Sequence, residues 1–200
     1  AWALSAARDG RYGALRGGSF RRVISDPAWL ENYWKADQIA GPLLDLHVHD
    51  AHFICLFFGM PSEFLSRGRQ REGLPEYWNS QFSYPDGKYV VSATSGVINQ
   101  QGRPFNHGFE IHFAEATLLF EFAVIGEEGR YLCPPTVLHA SGEVEQVPLG
   151  DGDPMNAFQA ELEEVVACVT ENRDSDILNG RLARDAIELC RRQSESIAEA

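Results

Sequence analysis

Between residues 63 and 147 the sequence repeats one pattern, a short run of β-favouring residues followed by a turn signal. The runs are Glu63–Arg69, Tyr77–Tyr84, Tyr89–Val97, Phe109–His112, Ala116–Val124, Arg130–Leu132 and Glu143–Val147. Turn signals such as Asp86-Gly87 and Ser141-Gly142 leave only hairpin-length connections between them. Such short connections join antiparallel strands, because parallel pairing needs a long crossover. The pattern therefore predicts one large, mostly antiparallel sheet.

The rest of the chain adds one strand and three long helices to this sheet. The strand is Leu15–Ile24, and the helices are Pro42–Phe58, Pro154–Thr170 and Asn179–Ala198. In the first helix, apolar residues recur at helical spacing: Leu44, Val48, Ala51, Cys55 and Phe58. Strands and helices are grouped and do not alternate, which favours an α+β fold with the helices on one face of the sheet.

Composition narrows the class of protein. The 200 residues suit a single domain spanning 1–200, and a net charge of −12 argues against nucleic acid and anionic membranes as partners. No apolar run reaches the ~18 residues of a membrane span. The four cysteines form no CxxC pair, so reduced thiols and a cytoplasmic location are expected. Residues 2–9 resemble the end of a helix, which indicates that the chain, starting at Ala1, was cut from a longer polypeptide.

One segment, Gly41–His52, concentrates the residues that could carry chemistry. Its Asp45-Leu-His47-Val-His49 is close to the Asp-x-His-x-His of metal-dependent hydrolases, in which two imidazoles at a strand end hold a metal ion. Those sites belong to βα barrels, and the chain after residue 60 does not alternate in that way. The segment also continues into the apolar stripe, which favours a helix. We therefore expect no metal, and the hydrolase remains an alternative.

As a helix, the same segment places Asp45, His49 and His52 on one face, at positions i, i+4 and i+7. Asp45 can then hydrogen-bond the His49 imidazole, which can accept a proton from a substrate hydroxyl. The same spacing also suits a structural histidine, with Asp45 favouring the helix dipole. Spacing alone leaves both interpretations open. The preceding loop, Asp26–Ala40, is rich in aromatic residues, a feature of binding surfaces and of ordinary packing alike.

Four stretches of the sequence resemble the C-terminal domain of the Gfo/Idh/MocA family, named for glucose–fructose oxidoreductase and inositol dehydrogenase. They are Ala7–Gly13 with Phe20-Arg-Arg, Gly41–Asp50, the Tyr84-Pro-Asp-Gly87 hairpin with Phe109–Val124, and the closing helices from Asp153-Pro-Met and Leu178-Asn-Gly. Gly41–Asp50 is the most specific, since it is similar to the family's G-G-x-L-x-D-x-G-x-H-x-x-D segment. Pro42 stands at its second Gly, and His52 replaces its usual downstream Asp.

The resemblance implies that Asp45 orients His49, which acts as general base on a sugar or polyol hydroxyl while hydride leaves for NAD or NADP. Substrate-binding residues on this interpretation are Arg22, Trp34, Lys35 and His52, the last of which could replace His49 as the base. No strand–GxGxxG–helix occurs in the 200 residues, so an upstream domain would hold the dinucleotide and this chain alone would be inactive.

The resemblance also implies that the other face of the sheet is the subunit interface of a dimer or tetramer. Strands such as Ala116–Val124 are apolar on both sides, which agrees with a covered sheet. The chain is thus expected to be a substrate-binding and oligomerisation domain. A non-catalytic binding or scaffold module remains the second alternative.

Overall fold

The computed structural model describes residues 2–148 and 154–198. Its helices are α1 (Trp2–Arg8), α2 (Val48–Phe58), α3 (Pro154–Glu171) and α4 (Gly180–Ala198). Its strands are β1 (Leu15–Ser25), β2 (Glu63–Arg71), β3 (Leu74–Ser83), β4 (Val90–Ile98), β5 (Phe105–Phe113), β6 (Ala116–Ile125), β7 (Glu128–His139) and β8 (Val144–Gln146). A π-helical segment, Leu43–His47, leads directly into α2. Asp153, part of the predicted entry to α3, and Ala1 lie outside the described residues.

The strands form one eight-stranded sheet in the order β2-β3-β4-β1-β5-β6-β7-β8. Adjacent strands are antiparallel except β1 and β4, which pair in parallel, with Gly18 opposite Val91. This pair is parallel because α2, β2 and β3 intervene along the chain and provide the crossover that parallel strands require. The prediction of an α+β fold with a large, mostly antiparallel sheet is confirmed.

Two helices pack on one side of the sheet, which we call the helix face. In α2, Phe53 and Phe58 make edge-to-face contacts with Phe20 of β1. In α4, Ala186 and Leu189 belong to the same buried core. Because side chains alternate along a strand, residues such as Ser19 and Ser92 lie on the opposite side, which we call the open face.

Helix α3 differs from the other long helices because its apolar side is exposed. Its apolar residues recur at helical spacing, and their exposed fractions range from 46% to 78%: Met155, Phe158, Leu162, Val165, Val166 and Val169. In contrast, α4 buries its apolar face against α2 and the sheet. The helices of the described region thus differ sharply in how much they contribute to the core.

Two strands are longer than the sequence indicated. Strand β5 begins at Phe105, not Phe109, and β7 covers Glu128–His139, not only Arg130–Leu132. Pro134-Pro135 suggests a break in β7, but proline is tolerated where a strand lies near a sheet edge. Only the three-residue β8 separates β7 from that edge.

Two predictions from composition can be compared with the structure. All four cysteines are free thiols, and Cys55 and Cys190 are buried in the core. Of the helices in residues 2–148 and 154–198, none is both long enough and apolar enough to span a membrane.

Candidate active site

The segment carrying Asp45 and His49 is helical, as predicted, but its first turn is a π-helix. Positive φ angles at Ala40 and Gly41 turn the chain into this segment, and the Gly41 N–H donates to the Tyr33 carbonyl at 2.8 Å. A π-helix closes its hydrogen bonds one residue later than an α-helix. The π turn therefore changes which residues face the core.

Because of this change, the predicted apolar stripe is wrong at its first position, Leu44. Leu43 is buried, whereas Leu44 is 40% exposed. From Ala51 onward the α-helical spacing holds, and Ala51, Cys55 and Phe58 are buried as expected. The sequence alone could not show the extra residue in the first turn, because five consecutive positions suit α- and π-windings equally.

Beneath this helix lies a buried ion pair that the sequence analysis did not identify. Two N–H groups of Arg22 in β1 donate to the Asp50 carboxylate: Nε to Oδ2 at 2.9 Å and Nη2 to Oδ1 at 3.0 Å. Only 12% of the Arg22 side chain and 6% of the Asp50 side chain are exposed. A bidentate contact of this kind fixes the orientation of the guanidinium and of the carboxylate. Arg22 was predicted to bind substrate; the structure shows it fixed beside the site by Asp50.

His49 lies on the exposed side of α2, close to this ion pair. Partial burial and the Arg22 guanidinium lower the pKa of His49 from its ordinary value, against the opposing charges of Asp50 and Asp45. The imidazole is therefore neutral at pH 7 and can accept a proton. Its position and protonation state suit the predicted base.

Asp45 does not make the hydrogen bond that the i, i+4 spacing predicted. Although both side chains are in the described region, Asp45 and His49 form no such bond and interact only through charge. The π turn explains this difference, because Asp45 lies within it and no longer has α-helical spacing to His49. Asp45 instead lies near the hydroxyl of buried Tyr33, and burial together with the Asp45 carboxylate raises the pKa of that hydroxyl.

Three other predicted substrate residues occupy different surroundings. The Nε2–H of His52 donates a hydrogen bond to the Ile177 carbonyl oxygen, 3.1 Å away, so His52 connects α2 to the α3–α4 loop. Trp34 lies under the Arg71 guanidinium, 4.3 Å from the ring centre. Lys35 is exposed and lines a neighbouring cavity of about 270 Å³ with Trp34. The structure thus groups His52 with His49, whereas Trp34 and Lys35 belong to an adjacent cavity.

His47 is completely buried in a polar network on the helix face. Its Nδ1 lies 2.8 Å from Ser95 Oγ and its Nε2 lies 3.1 Å from Gln193 Oε1. Gln193 in turn donates Nε2 to Ser80 Oγ at 2.7 Å. Both ring nitrogens of His47 are therefore engaged within the fold.

This placement contradicts the strand-end interpretation on which the metal hydrolase depended. His47 is buried and His49 is exposed. Residues two positions apart point the same way in a strand, but they point in different directions in a helix such as this one. In the described part of the chain, no three His, Cys, Asp or Glu side chains form a group suited to a metal ion.

A second histidine, His107 of β5, also belongs to the site and was not predicted. The β1–β5 register places it opposite Arg22, and its ring contacts Phe105, Phe120 and Phe122. Burial and the Arg22 charge lower the pKa of His107 to about 4, with His49 adding to the effect. The alternation Phe105-Asn-His107-Gly-Phe109 was the available signal, since it suits a strand with His107 on the aromatic side.

Comparison with known protein families identifies the family of this chain. The profile of the GFO/IDH/MocA C-terminal domain matches residues 3–131. The chain belongs to the GFO/IDH/MocA family. This match covers the whole of the candidate site as far as His107, and it confirms the family predicted from the sequence. No curated protein sequence matches the chain.

Solved structures with the same fold include several oxidoreductases. UDP-N-acetylglucosamine 3-dehydrogenase from Acidithiobacillus ferrooxidans is 16% identical, with a TM-score of 0.70, over 98% of this chain and 58% of that one. Aldose-aldose oxidoreductase from Caulobacter crescentus, complexed with glycerol, is 13% identical, with a TM-score of 0.74, over 98% and 57%. Levoglucosan dehydrogenase, complexed with NADH and L-sorbose, is 16% identical, with a TM-score of 0.69, over 98% and 60%.

At these identities the likeness shows the shared fold. The chain spans about three fifths of the length of these solved structures. It corresponds to the C-terminal domain of the family's oxidoreductases.

Proposed function

We propose that this chain forms the substrate side of the active site of an NAD(P)-dependent oxidoreductase acting on a hydroxyl of a sugar, polyol or related compound. The observation that carries the proposal is the exposed imidazole of His49 beside the buried Arg22–Asp50 pair, in a chain of this family. The related enzymes solved with NADH and L-sorbose and with glycerol support a nicotinamide cofactor and a polyhydroxylated substrate.

The proposed chemistry of this chain is proton transfer. His49 accepts the proton of the substrate hydroxyl, and Arg22 keeps the imidazole neutral beforehand by disfavouring its charged form. Asp45 and Asp50 stabilise the imidazolium that results, because their negative charges act in the opposite direction. A nicotinamide would supply the hydride acceptor.

The dinucleotide does not fit a site in this chain. Its 200 residues contain no GxGxxG motif, and the parallel pair β1 and β4 of the described region is joined through α2, β2 and β3, not through a single helix. We therefore propose that another domain holds NAD or NADP and that this chain alone is inactive.

The decisive experiment measures the full-length protein with a panel of D-glucose, myo-inositol, levoglucosan and UDP-N-acetylglucosamine, each with NAD and NADP. His49→Ala should lower kcat by roughly 10²-fold or more, the usual effect of losing a general base. His52→Ala tests whether His52 acts as the base and should leave kcat within a few-fold, because its ring is engaged with the α3–α4 loop. A His49→Ala protein with a near-normal rate would contradict the assignment.

We also propose that the open face joins copies of the chain into a dimer or tetramer. Register places apolar residues with exposed fractions of 38% to 81% on this face: Leu65, Val90, Leu138 and Val144. The same face carries a shallow cavity of about 310 Å³ whose lining includes Ser19, Arg21 and Ser92. A mixture of apolar and polar groups is typical of subunit interfaces.

Light scattering coupled to size-exclusion chromatography tests the oligomer. Ser92→Arg places a long charged side chain at the centre of the open face and should dissociate the assembly. Ile187→Arg on α4, which is 53% exposed on the other side of the sheet, serves as the matched control and should not. A monomeric unmodified protein at micromolar concentration would refute this proposal.

A further inference from the structure

His107 is a polar group without a polar partner in an aromatic setting. Its ring centre lies 5.1 Å from those of Phe105 and Phe120 and 6.1 Å from that of Phe122. Neither ring nitrogen makes a hydrogen bond to any residue of the described region. Because the side chain is only partly buried, its ring nitrogens are accessible to a group that enters the site.

The location of His107 indicates that this group is the substrate. His107 pairs with Arg22 across β1 and β5, and Arg22 is fixed by Asp50 of α2. The charge state of His107 is influenced by Arg22, Asp50 and His49, so His107 lies within electrostatic range of the proposed base. The pairing of β5 with β1 and the contacts with the three phenylalanine rings hold the imidazole in place.

The protonation state of His107 suits hydrogen bonding to a neutral group. Burial and the Arg22 charge lower its pKa to about 4, so at pH 7 one ring nitrogen donates and the other accepts. A hydroxyl group matches this pair, since it also donates and accepts. A charged imidazole would only donate and would compete with His49 for the nearby carboxylates.

We infer that His107 is a second substrate-contacting imidazole, which binds a hydroxyl of the substrate other than the one that is oxidised and thereby selects among polyhydroxylated compounds. This inference rests on the proposed function. It assigns His107 to binding and specificity, while proton transfer remains with His49. The surrounding phenylalanines lower the cost of placing an apolar face of the substrate beside this hydrogen bond.

The test compares the full-length protein with His107→Phe, which keeps an aromatic ring but removes both hydrogen-bonding atoms. With the panel compound of highest kcat/KM, we expect KM to rise about 5- to 30-fold, the range for one lost hydrogen bond in a site, with kcat changed less than about threefold. His112→Phe is the matched control, because His112 lies on the same strand but on the open face, near Thr117. It should leave KM unchanged.

Monodeoxy analogues of the same compound then identify the hydroxyl. In the unmodified protein, each missing hydroxyl that is bound should raise KM, and one of these increases should disappear in His107→Phe while the others persist. His107→Gln, whose amide retains a donor and an acceptor, should restore KM to within about threefold. An equal rise in KM for the Phe and Gln variants would assign the effect to packing and overturn the inference, as would unchanged deoxy penalties.

The two hypotheses fail in different ways. If no panel compound is turned over, the proposed function fails and this inference fails with it. If turnover depends on His49 but KM and the deoxy penalties are the same in His107→Phe, only the inference about His107 is overturned. Urea unfolding of each variant establishes that the protein measured is folded.

Discussion

At the scale of single residues, the site depends on the ion pair between Arg22 and Asp50. The pair connects β1 to α2, and its Arg22 charge adds to burial in lowering the pKa of both His49 and His107, whereas Asp50 opposes this effect. A buried pair of this kind adds little net stability compared with apolar residues, but removal of one partner is costly because the other charge remains buried.

We expect Asp50→Asn to lower the free energy of unfolding by about 3–5 kcal/mol, because it leaves the Arg22 guanidinium buried without its counter-charge. Asp45→Asn is the matched control: Asp45 is exposed, and its change should stay within about 0.5 kcal/mol. Urea unfolding at pH 7 measures both. A loss below about 1 kcal/mol for Asp50→Asn would mean that Arg22 finds water or another partner.

The pKa of His107 also predicts how stability varies with pH. In the unfolded chain the histidine takes up a proton below about pH 6.5, whereas in the folded protein it stays neutral down to about 4. The unfolded state therefore binds more protons in this interval, and stability falls as pH drops from 6.5 to 4.

We expect His107→Phe to reduce the loss of stability between pH 7 and pH 5 by about 2 kcal/mol relative to the unmodified protein. His47 and His49 also have lowered pKa values, so part of the loss should remain in the variant. Urea unfolding at pH 7, 6 and 5 gives the comparison. Parallel pH profiles for the two proteins would show that His107 titrates normally.

At the scale of elements, the π turn before α2 determines which side chains reach the core and which remain beside the site. It buries Leu43, exposes Leu44 and removes Asp45 from the α-helical spacing that would pair it with His49. Short π-helical turns within helices are frequent at functional sites. Here the turn lies between the aromatic loop and the helix that carries His49.

The pair of adjacent leucines tests this register directly. Leu43→Ala should destabilise the protein by about 2–4 kcal/mol, since it removes buried apolar volume. Leu44→Ala should cost less than about 1 kcal/mol, because Leu44 is 40% exposed. An uninterrupted α-helix would give the opposite order, so thermal or urea unfolding of the two variants distinguishes the two windings.

At the scale of the whole molecule, stability is concentrated where α2 and α4 cover the helix face. Ala51, Ile54 and Leu189 are completely buried there. Helix α3 lies apart from this core with its apolar side exposed. The molecule therefore combines a well-packed centre with an apolar helix surface that contributes little to it.

Substitutions in α3 and α4 should differ accordingly. Val166→Lys in α3, at a position 64% exposed, should change the free energy of unfolding by less than about 0.5 kcal/mol. Leu189→Ala in α4, which is 0% exposed, should cost about 2–5 kcal/mol. Urea unfolding of this chain provides the measurement, and a comparable loss for both variants would place α3 within the cooperative core.

Local patterns in the sequence were sufficient to identify most of the elements and the family. Hydrophobic periodicity and turn residues are local signals, so they located the helices, most strands and the fold class. The segment with Asp45 and His49 carried the family resemblance, which the profile match confirms. Their catalytic roles remain predictions.

Which side chains meet in the site depends on long-range packing. Arg22, Asp50 and His107 come from β1, α2 and β5, and they adjoin one another because of strand register and helix packing. In the sequence, neither Asp50 nor His107 was identified as a candidate site residue. Local sequence patterns also could not predict the π turn or the parallel pairing of β1 and β4. Long-range packing selects such features, because several local conformations satisfy the same sequence and only one of them buries the core.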